Sequence, residues 1–218
     1  MTREIEAEPS RILEHIYLGS RAHARDKNLL QRLHITHILN VTPQKEMDPV
    51  AGVPNFFEKD KTFIYQRCSI FDNKAQDLSS VLDSSITFIE QAKYYGRILV
   101  HCNKGVSRST SMILAYLIKY QTMTFDQALT FVIERHPIAN PNANFRQQLH
   151  EFECQVHRQA SSKKRSRALC NANEKKDSVK FIGPQLPYTS NTDDNRTTKQ
   201  LKTENKVIGP SLPPSSES

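Results

Sequence analysis

The sequence predicts an α/β fold in which a central, mostly parallel sheet is flanked by helices on both faces. Over the first 159 residues, short segments rich in β-branched residues alternate with segments of helical hydrophobic periodicity. This alternation is typical of parallel strands joined by helices. Hydrophobic residues make up 37% of the 218-residue chain, which is enough for one core. Ligands of such folds bind at the carboxyl ends of the strands.

Four segments are predicted to be strands, because each is short, apolar and bounded by turn or polar residues. They are residues 16–18, 35–41, 63–70 and 97–101. The last of them leads directly into a loop and a predicted helix, so its carboxyl end is the expected position of a ligand.

Three segments are predicted to be helices. Residues 77–95 place their apolar side chains on one face, whereas residues 107–120 are apolar nearly all round and are expected at the centre of the fold. Thr124 and Gln127 have the spacing of a capping box, which predicts that the third helix begins after Thr124.

The composition changes sharply near residue 160. Only 14 of the 59 residues from there to the end are hydrophobic, too few to offset the entropy lost on folding. The sequence therefore predicts a catalytic domain over residues 10–157 and a disordered, basic tail over residues 160–218. The tail carries a net charge of +5 out of the chain's +7, so the charge says little about the folded part.

The tail contains a short repeat. Lys-Phe-Ile-Gly-Pro-Gln-Leu-Pro at 180–187 returns at 206–213 as Lys-Val-Ile-Gly-Pro-Ser-Leu-Pro. Two apolar anchors around a Gly-Pro turn suit a linear motif that docks in a groove of a partner protein, although chance duplication explains the repeat equally well. The basic run at 163–167 is either a nuclear localisation signal or a solvated part of the tail.

Several classes of protein are disfavoured by what the sequence lacks. No apolar run approaches the ~18–20 residues of a membrane-spanning helix, and the first residues do not resemble a signal peptide. The four cysteines have neither metal-ligand spacing nor a disulfide pattern. We therefore expect an intracellular protein, in the cytoplasm, the nucleus or both, that needs no membrane, metal or cofactor.

The segment from His101 to Ser109 is the strongest candidate for a functional site. A strand ends at His101 and a helix begins near Ser107, so the backbone N–H groups of the loop and of the helix N-terminus converge and favour an anion. This position favours the thiolate form of Cys102 and binds a phosphoryl group. The implied reaction is attack of the thiolate on phosphorus, followed by hydrolysis of the phosphocysteine by water.

Other residues of this segment are predicted to assist the cysteine. Arg108 can bind two phosphoryl oxygens bidentately, Gly105 provides the backbone freedom of a tight loop, and Ser109 can donate a hydrogen bond to the sulfur. The predicted substrate-binding residues are Asn103, Lys104, Gly105, Val106, Ser107 and Arg108.

The pattern His-Cys-x5-Arg-Ser at 101–109 resembles the signature of the dual-specificity protein phosphatases. Stretches at 10–20, 36–41 and 140–149 are also similar to this family, so that the resemblance covers roughly residues 10–155. It implies a small atypical member that dephosphorylates phosphotyrosine and phosphoserine or phosphothreonine in proteins.

The resemblance also implies a general acid, on a loop about 30 residues before the cysteine. The family pattern Asp-x4-Asp matches Asp72 and Asp77, and its first aspartate is the catalytic one. Asp77 is expected at the N-cap of the next helix and remains the alternative acid. His101 is expected to be buried and to order the loop, and Asn142 to fix the loop geometry.

The class of substrate follows from two features. The chain has no tryptophan, which excludes the Trp-Pro-Asp loop of phosphotyrosine-specific phosphatases, and the loop lysine Lys104 does not stand where phosphoinositide phosphatases have theirs. Phosphoprotein substrates are therefore the expected partners, with a protein kinase among the candidates.

Two other functions are weighed against this one. A phosphate-binding adaptor on the same fold is disfavoured because Cys102, Arg108 and Asp72 are all present. An RNA 5′-phosphatase tethered through the basic tail is disfavoured because the tail lacks interleaved aromatic residues and Arg-Gly repeats.

Overall fold

The computed structural model describes residues 8–174, with side chains described through residue 159. Its five strands form one sheet in the order β1-β2-β5-β3-β4, in which β1 and β2 are antiparallel and the other neighbours are parallel. The strands are β1 Ser10–Leu13, β2 Ile16–Gly19, β3 Ile35–Asn40, β4 Ile64–Arg67 and β5 Arg97–His101. The predicted, mostly parallel sheet is confirmed.

Helices cover both faces of the sheet, as predicted. They are α1 Arg21–Arg25, α2 Lys27–Arg32, α3 Ser79–Tyr95, α4 Arg108–Tyr120, α5 Phe125–Arg135 and α6 Ala143–Glu174. The larger core lies between the sheet and α3–α6, and a smaller one lies beneath α1 and α2. The capping box of Thr124 and Gln127 is present at the start of α5.

The helix α4 lies at the centre of the larger core. Its residues from Arg108 to Ile118 are all buried, which confirms the expectation from its apolar sequence. Since β5 ends at His101 and α4 begins at Arg108, the packing of this strand and this helix fixes both ends of the connecting loop.

The strand predicted over 63–70 is shorter in the structure. It ends at Arg67, and the N–H of Cys68 makes the last bond to β3 by donating to the carbonyl of Asn40 at 2.8 Å. Because β3 itself ends at Asn40, the chain beyond Cys68 has no neighbouring strand and turns into a loop. This loop carries Asp72.

The last helix extends beyond the end of the predicted domain. Composition places that end at residue 157 and a disordered tail from 160, whereas α6 continues to Glu174. Residues 160–174 include Ala, Leu, Lys and Arg, which have a high intrinsic helix propensity. Both tail repeats lie outside the described residues, so disorder there stays a prediction.

Within residues 8–174, no helix is long and apolar enough to cross a membrane. In the same part of the chain, no group of three or more His, Cys, Asp or Glu side chains is arranged to hold a metal ion. Cys68, Cys102 and Cys154 are free cysteines.

Candidate active site

The loop between β5 and α4, residues 102–107, is called the anion loop below. Its tight turn depends on Gly105, whose φ of +77° lies in the left-handed region that favours glycine. A Cβ atom at this position would lie 2.9 Å from the carbonyl oxygen of Gly19 in β2. The loop therefore packs closely against the carboxyl end of the neighbouring strand β2.

The carbonyl groups around the anion loop are held by donors from other parts of the fold. Three backbone N–H groups donate to these carbonyls: Val41 to the oxygen of His101 at 2.8 Å, Arg21 to the oxygen of Asn103 at 3.0 Å, and Asn140 to the oxygen of Val106 at 2.9 Å. The fourth donor is His136 Nε2, which lies 2.8 Å from the carbonyl oxygen of Gly105. In a planar trans peptide, the N–H points away from the carbonyl of the same unit. Because these carbonyls are bound outside the loop, we infer that the N–H groups that follow them point towards its centre.

Cys102 lies at the base of this loop and is 2% exposed. Its Sγ accepts hydrogen bonds from the N–H of Gly105 at 3.1 Å and from Ser109 Oγ at 3.2 Å. Both donors stabilise negative charge on sulfur. The arrangement suits a nucleophilic thiolate and a thiolate leaving group.

Arg108 is buried beside the loop, where its Nη1 donates to the carbonyl oxygen of Ile70 at 3.4 Å. Its Nε lies 3.8 Å from Asp72 Oδ2. In the part of the chain that the structure describes, this Nε is buried and makes no hydrogen bond. The guanidinium is thus held in place while retaining donors for an oxyanion.

Asp72 is brought to the edge of the anion loop by two hydrogen bonds. Its Oδ1 accepts from Ser107 Oγ and from Asn142 Nδ2, both at 2.8 Å. The side chain is 36% exposed, so it lies at the mouth of the site. The carboxylate therefore faces both the loop and solvent, as a general acid must when it exchanges a proton with a substrate and then with water.

Asp77, the alternative acid, is occupied elsewhere. Its carboxylate accepts from the N–H of Ser79 at 2.9 Å and from Ser79 Oγ at 2.7 Å, and these bonds lower the pKa of Asp77. The N-cap of α3 is Leu78, one residue later than predicted, and it makes no side-chain cap bond. The exposed carboxylate of Asp77 instead binds the first turn of the helix from the preceding position.

Asn142 connects three parts of the site. Its side-chain Oδ1 accepts a hydrogen bond from the N–H of Phe145 in the first turn of α6 at 2.9 Å. Its backbone N–H donates to Ser107 Oγ at 3.2 Å. Its Nδ2 bond to Asp72 is not foreshadowed by any pattern in the sequence. This residue ties α6, the anion loop and the acid together.

His101 is fully buried beneath the loop, and burial lowers its pKa to about 4, helped by the nearby charges of Arg67 and Arg108. The ring is therefore neutral at pH 7. Its Nδ1 lies 3.3 Å from the carbonyl oxygen of Cys102, to which only an N–H can bind. The ring orders the peptide that follows the cysteine.

The remaining residues of the loop differ in how they face solvent. The side chains of Asn103 and Val106 are half-buried and that of Lys104 is exposed, so we expect these residues to contribute through their backbone N–H groups. Sequence reasoning missed His136, which holds the carbonyl of Gly105. No motif or spacing in the sequence links it to the loop.

Comparison with known proteins decides the family. Residues 16–155 match the family model described as "Dual specificity phosphatase, catalytic domain". The chain belongs to the dual-specificity phosphatase family. The matched range contains the anion loop, Asp72 and Asn142, and it lies within the predicted domain of residues 10–157.

Relatives of this dual-specificity phosphatase include human Dual specificity protein phosphatase 1, which is 40% identical over 149 residues. The match covers 68% of this chain and 38% of that protein, so the chain spans well under half of its length.

Two solved structures share the fold. The structure of a mouse protein described as a dual specificity phosphatase, complexed with zinc tungstate, is 30% identical, covers 73% of this chain and 96% of that one, and has a TM-score of 0.62. The human tyrosine phosphatase-like serine/threonine/tyrosine-interacting protein is 32% identical, with coverage of 67% and 95% and a TM-score of 0.61.

Proposed function

We propose that this protein dephosphorylates phosphotyrosine and phosphoserine or phosphothreonine side chains in proteins through a phosphocysteine intermediate. One observation carries the proposal: Cys102 Sγ accepts two hydrogen bonds at the base of a loop whose carbonyl groups are bound by donors outside it. Such a loop holds the equatorial oxygens of a phosphoryl group and favours the thiolate that attacks it.

In the first step, the Cys102 thiolate attacks phosphorus and the bond from phosphorus to the substrate oxygen breaks. The inward N–H groups and the guanidinium of Arg108 bind the phosphoryl oxygens. Asp72 donates its proton to the departing oxygen, which leaves as a hydroxyl group. The position of Asp72 at the mouth of the site favours this role over Asp77, whose carboxylate faces Ser79.

In the second step, water attacks the phosphorus of the phosphocysteine and the bond between phosphorus and sulfur breaks. Asp72, now ionised, accepts a proton from the water, and inorganic phosphate is released. The Oγ–H of Ser109, 3.2 Å from Sγ, stabilises the thiolate as it leaves. The cycle returns every group to its starting protonation state and needs no cofactor.

The breadth of the substrate class rests on the mouth of the site. Asp72 is held by Ser107 of the anion loop and by Asn142, which precedes α6. The chain has no tryptophan, so it lacks the Trp-Pro-Asp loop of phosphotyrosine-specific phosphatases. We infer that a short phosphoserine or phosphothreonine reaches the sulfur as well as a phosphotyrosine. The mouse relative was crystallised in complex with zinc tungstate; tungstate is a tetrahedral oxyanion like phosphate, which is consistent with an anion site in this family.

Turnover of an aryl phosphate and of phosphotyrosyl and phosphothreonyl peptides tests the proposal. We expect the purified chain to release phosphate from all three without added metal, and vanadate to inhibit it. Cys102→Ser and Arg108→Lys should abolish activity, whereas Cys154→Ser, which alters an exposed cysteine on α6, should not. Full activity of Cys102→Ser would rule out the phosphocysteine.

A second candidate function is binding of phosphorylated proteins without turnover. It is suggested by the structural similarity to the human tyrosine phosphatase-like interacting protein. Vanadate or phosphate binding in the absence of any phosphate release from the peptides would favour it over catalysis.

A further inference from the structure

His136 contacts the anion loop from outside the segment that carries the family signature. It is the C-cap residue of α5, where its N–H donates to the carbonyl of Val132 at 2.8 Å, and its side chain is buried. The ring bridges two elements: Nε2 lies 2.8 Å from the carbonyl oxygen of Gly105, and Nδ1 lies 2.8 Å from Ser10 Oγ in β1.

The partners of the ring define its hydrogen bonds. A carbonyl oxygen only accepts, so Nε2 must carry the proton that it shares with Gly105. Burial lowers the pKa of His136, so the ring is neutral at pH 7 and Nδ1 accepts the hydroxyl proton of Ser10. Ser10 thereby holds the ring in the tautomer that can donate to the loop.

The peptide that His136 holds follows a glycine with a left-handed backbone conformation. Gly105 has φ of +77°, and glycine moves between backbone conformations more readily than other residues. If the peptide between Gly105 and Val106 turned over, its carbonyl would point into the loop, and its partial negative charge would repel an oxyanion. The bond to His136 keeps this carbonyl outside and directs the N–H of Val106 inward.

The next peptide is held from the same segment. The N–H of Asn140 donates to the carbonyl oxygen of Val106 at 2.9 Å, and the carbonyl of His136 accepts from the N–H of Ala139 at 2.9 Å. The turn after α5 therefore supports two consecutive peptides of the loop, one through a side chain and one through the backbone.

We propose that His136 is a positioning residue for oxyanion binding, which acts by holding the peptide between Gly105 and Val106 with its N–H towards the phosphoryl site and which Ser10 orients. This inference rests on the proposed function of the loop as the phosphate site. His136 itself does not touch the substrate.

The test compares four full-length variants with the wild type for the vanadate inhibition constant, for KM and kcat on an aryl phosphate, and for Tm. His136→Ala removes the donor, and His136→Gln keeps an N–H that can reach Gly105. Ser10→Ala removes the group that orients the ring. His37→Ala is the matched control, because His37 in β3 is also buried but bonds Thr36 and packs on Phe88 of α3.

We expect His136→Ala to raise KM and the vanadate inhibition constant by at least about threefold, as loss of one hydrogen bond implies, with a smaller change in kcat. Ser10→Ala should shift both constants in the same direction, and His136→Gln should restore them. His37→Ala should lower Tm and leave both constants unchanged.

The inference is overturned if His136→Ala and Ser10→Ala change neither constant, or if His37→Ala changes both as much as they do. If His136→Ala does not fold, Ser10→Ala and His136→Gln decide the matter by the same two constants. A wild type without turnover or vanadate binding refutes the proposed function instead, so the two failures are distinguishable.

Discussion

Replacing Asp72 with asparagine removes the acidic proton of this side chain but keeps the side chain in place. The Oδ1 atom of the asparagine can still accept from Ser107 Oγ and Asn142 Nδ2, which bind Asp72 at 2.8 Å. Only the acidic proton and the charge near Arg108 are lost. The variant therefore reports on general acid catalysis and not on a displaced loop.

The size of the effect depends on the leaving group. Serine, threonine and tyrosine oxygens are poor leaving groups, so we expect Asp72→Asn to lower turnover of phosphopeptides by about 10²–10⁴-fold, the usual contribution of a general acid. This corresponds to about 3–5 kcal/mol in the activation barrier. An activated aryl phosphate releases a stable phenolate without a proton, so the loss on that substrate should be much smaller.

Asp77→Asn is the matched control, because asparagine can also accept the bond from the N–H of Ser79. Steady-state rates of both variants on a phosphothreonyl peptide and on p-nitrophenyl phosphate form the assay. A leaving-group-dependent loss in Asp77→Asn, with none in Asp72→Asn, would reverse the assignment of the acid.

Four further predictions concern the loop, the buried histidine and the tail. Gly105→Ala should lower stability by more than the about 1–2 kcal/mol of left-handed strain, because its Cβ atom would also lie 2.9 Å from the carbonyl oxygen of Gly19. It should also weaken vanadate binding, and an unchanged Tm would contradict this. Lowering the pH from 7 to 5 should reduce the unfolding free energy by about 2 kcal/mol through His101, because the unfolded chain binds a proton near pH 6.5 and the native ring, with a pKa of about 4, does not. This contribution is fully present above pH 6.5 and is lost as the pH falls towards 4, and urea titrations should show a smaller pH effect in His101→Asn. A chain ending at Glu174 should keep its Tm and its aryl phosphatase activity, since all described site residues precede that point, and a loss of either would refute it. Replacing Ile182 and Ile208 by Ala together should remove partners from a proximity-labelling comparison, and an unchanged set of partners would refute the docking role of the repeats.

Much of the fold was accessible from the sequence because hydrophobic periodicity is local. The strands β3 and β5 and the central helix α4 were predicted within one or two residues. The helices α1 and α2 were not, because five or six residues are too few to show a helical period. The helix α6 was not predicted, although Phe145, Leu149, Phe152 and Val156 recur at helical spacing and pack on the core.

The candidate nucleophile was also accessible, since a strand, a loop and a helix that follow one another in the chain define an anion site by themselves. Cys102, Arg108 and Ser109 lie within this continuous segment, and Gly105 adopts the backbone conformation expected there. Asp72 was found through the resemblance to a family, because nothing in its local sequence distinguishes it from Asp77.

The layered α/β fold and the order of strand, anion loop and helix follow from the local sequence, because they depend on neighbouring residues. The groups that hold the loop are set by tertiary packing. Asp72 meets Ser107 and Asn142, which are 35 and 70 residues away, and His136 reaches Gly105 across 31 residues. Such contacts depend on how β1, α5 and α6 pack around the end of the sheet, and this packing leaves no periodic trace in the residues that it brings together.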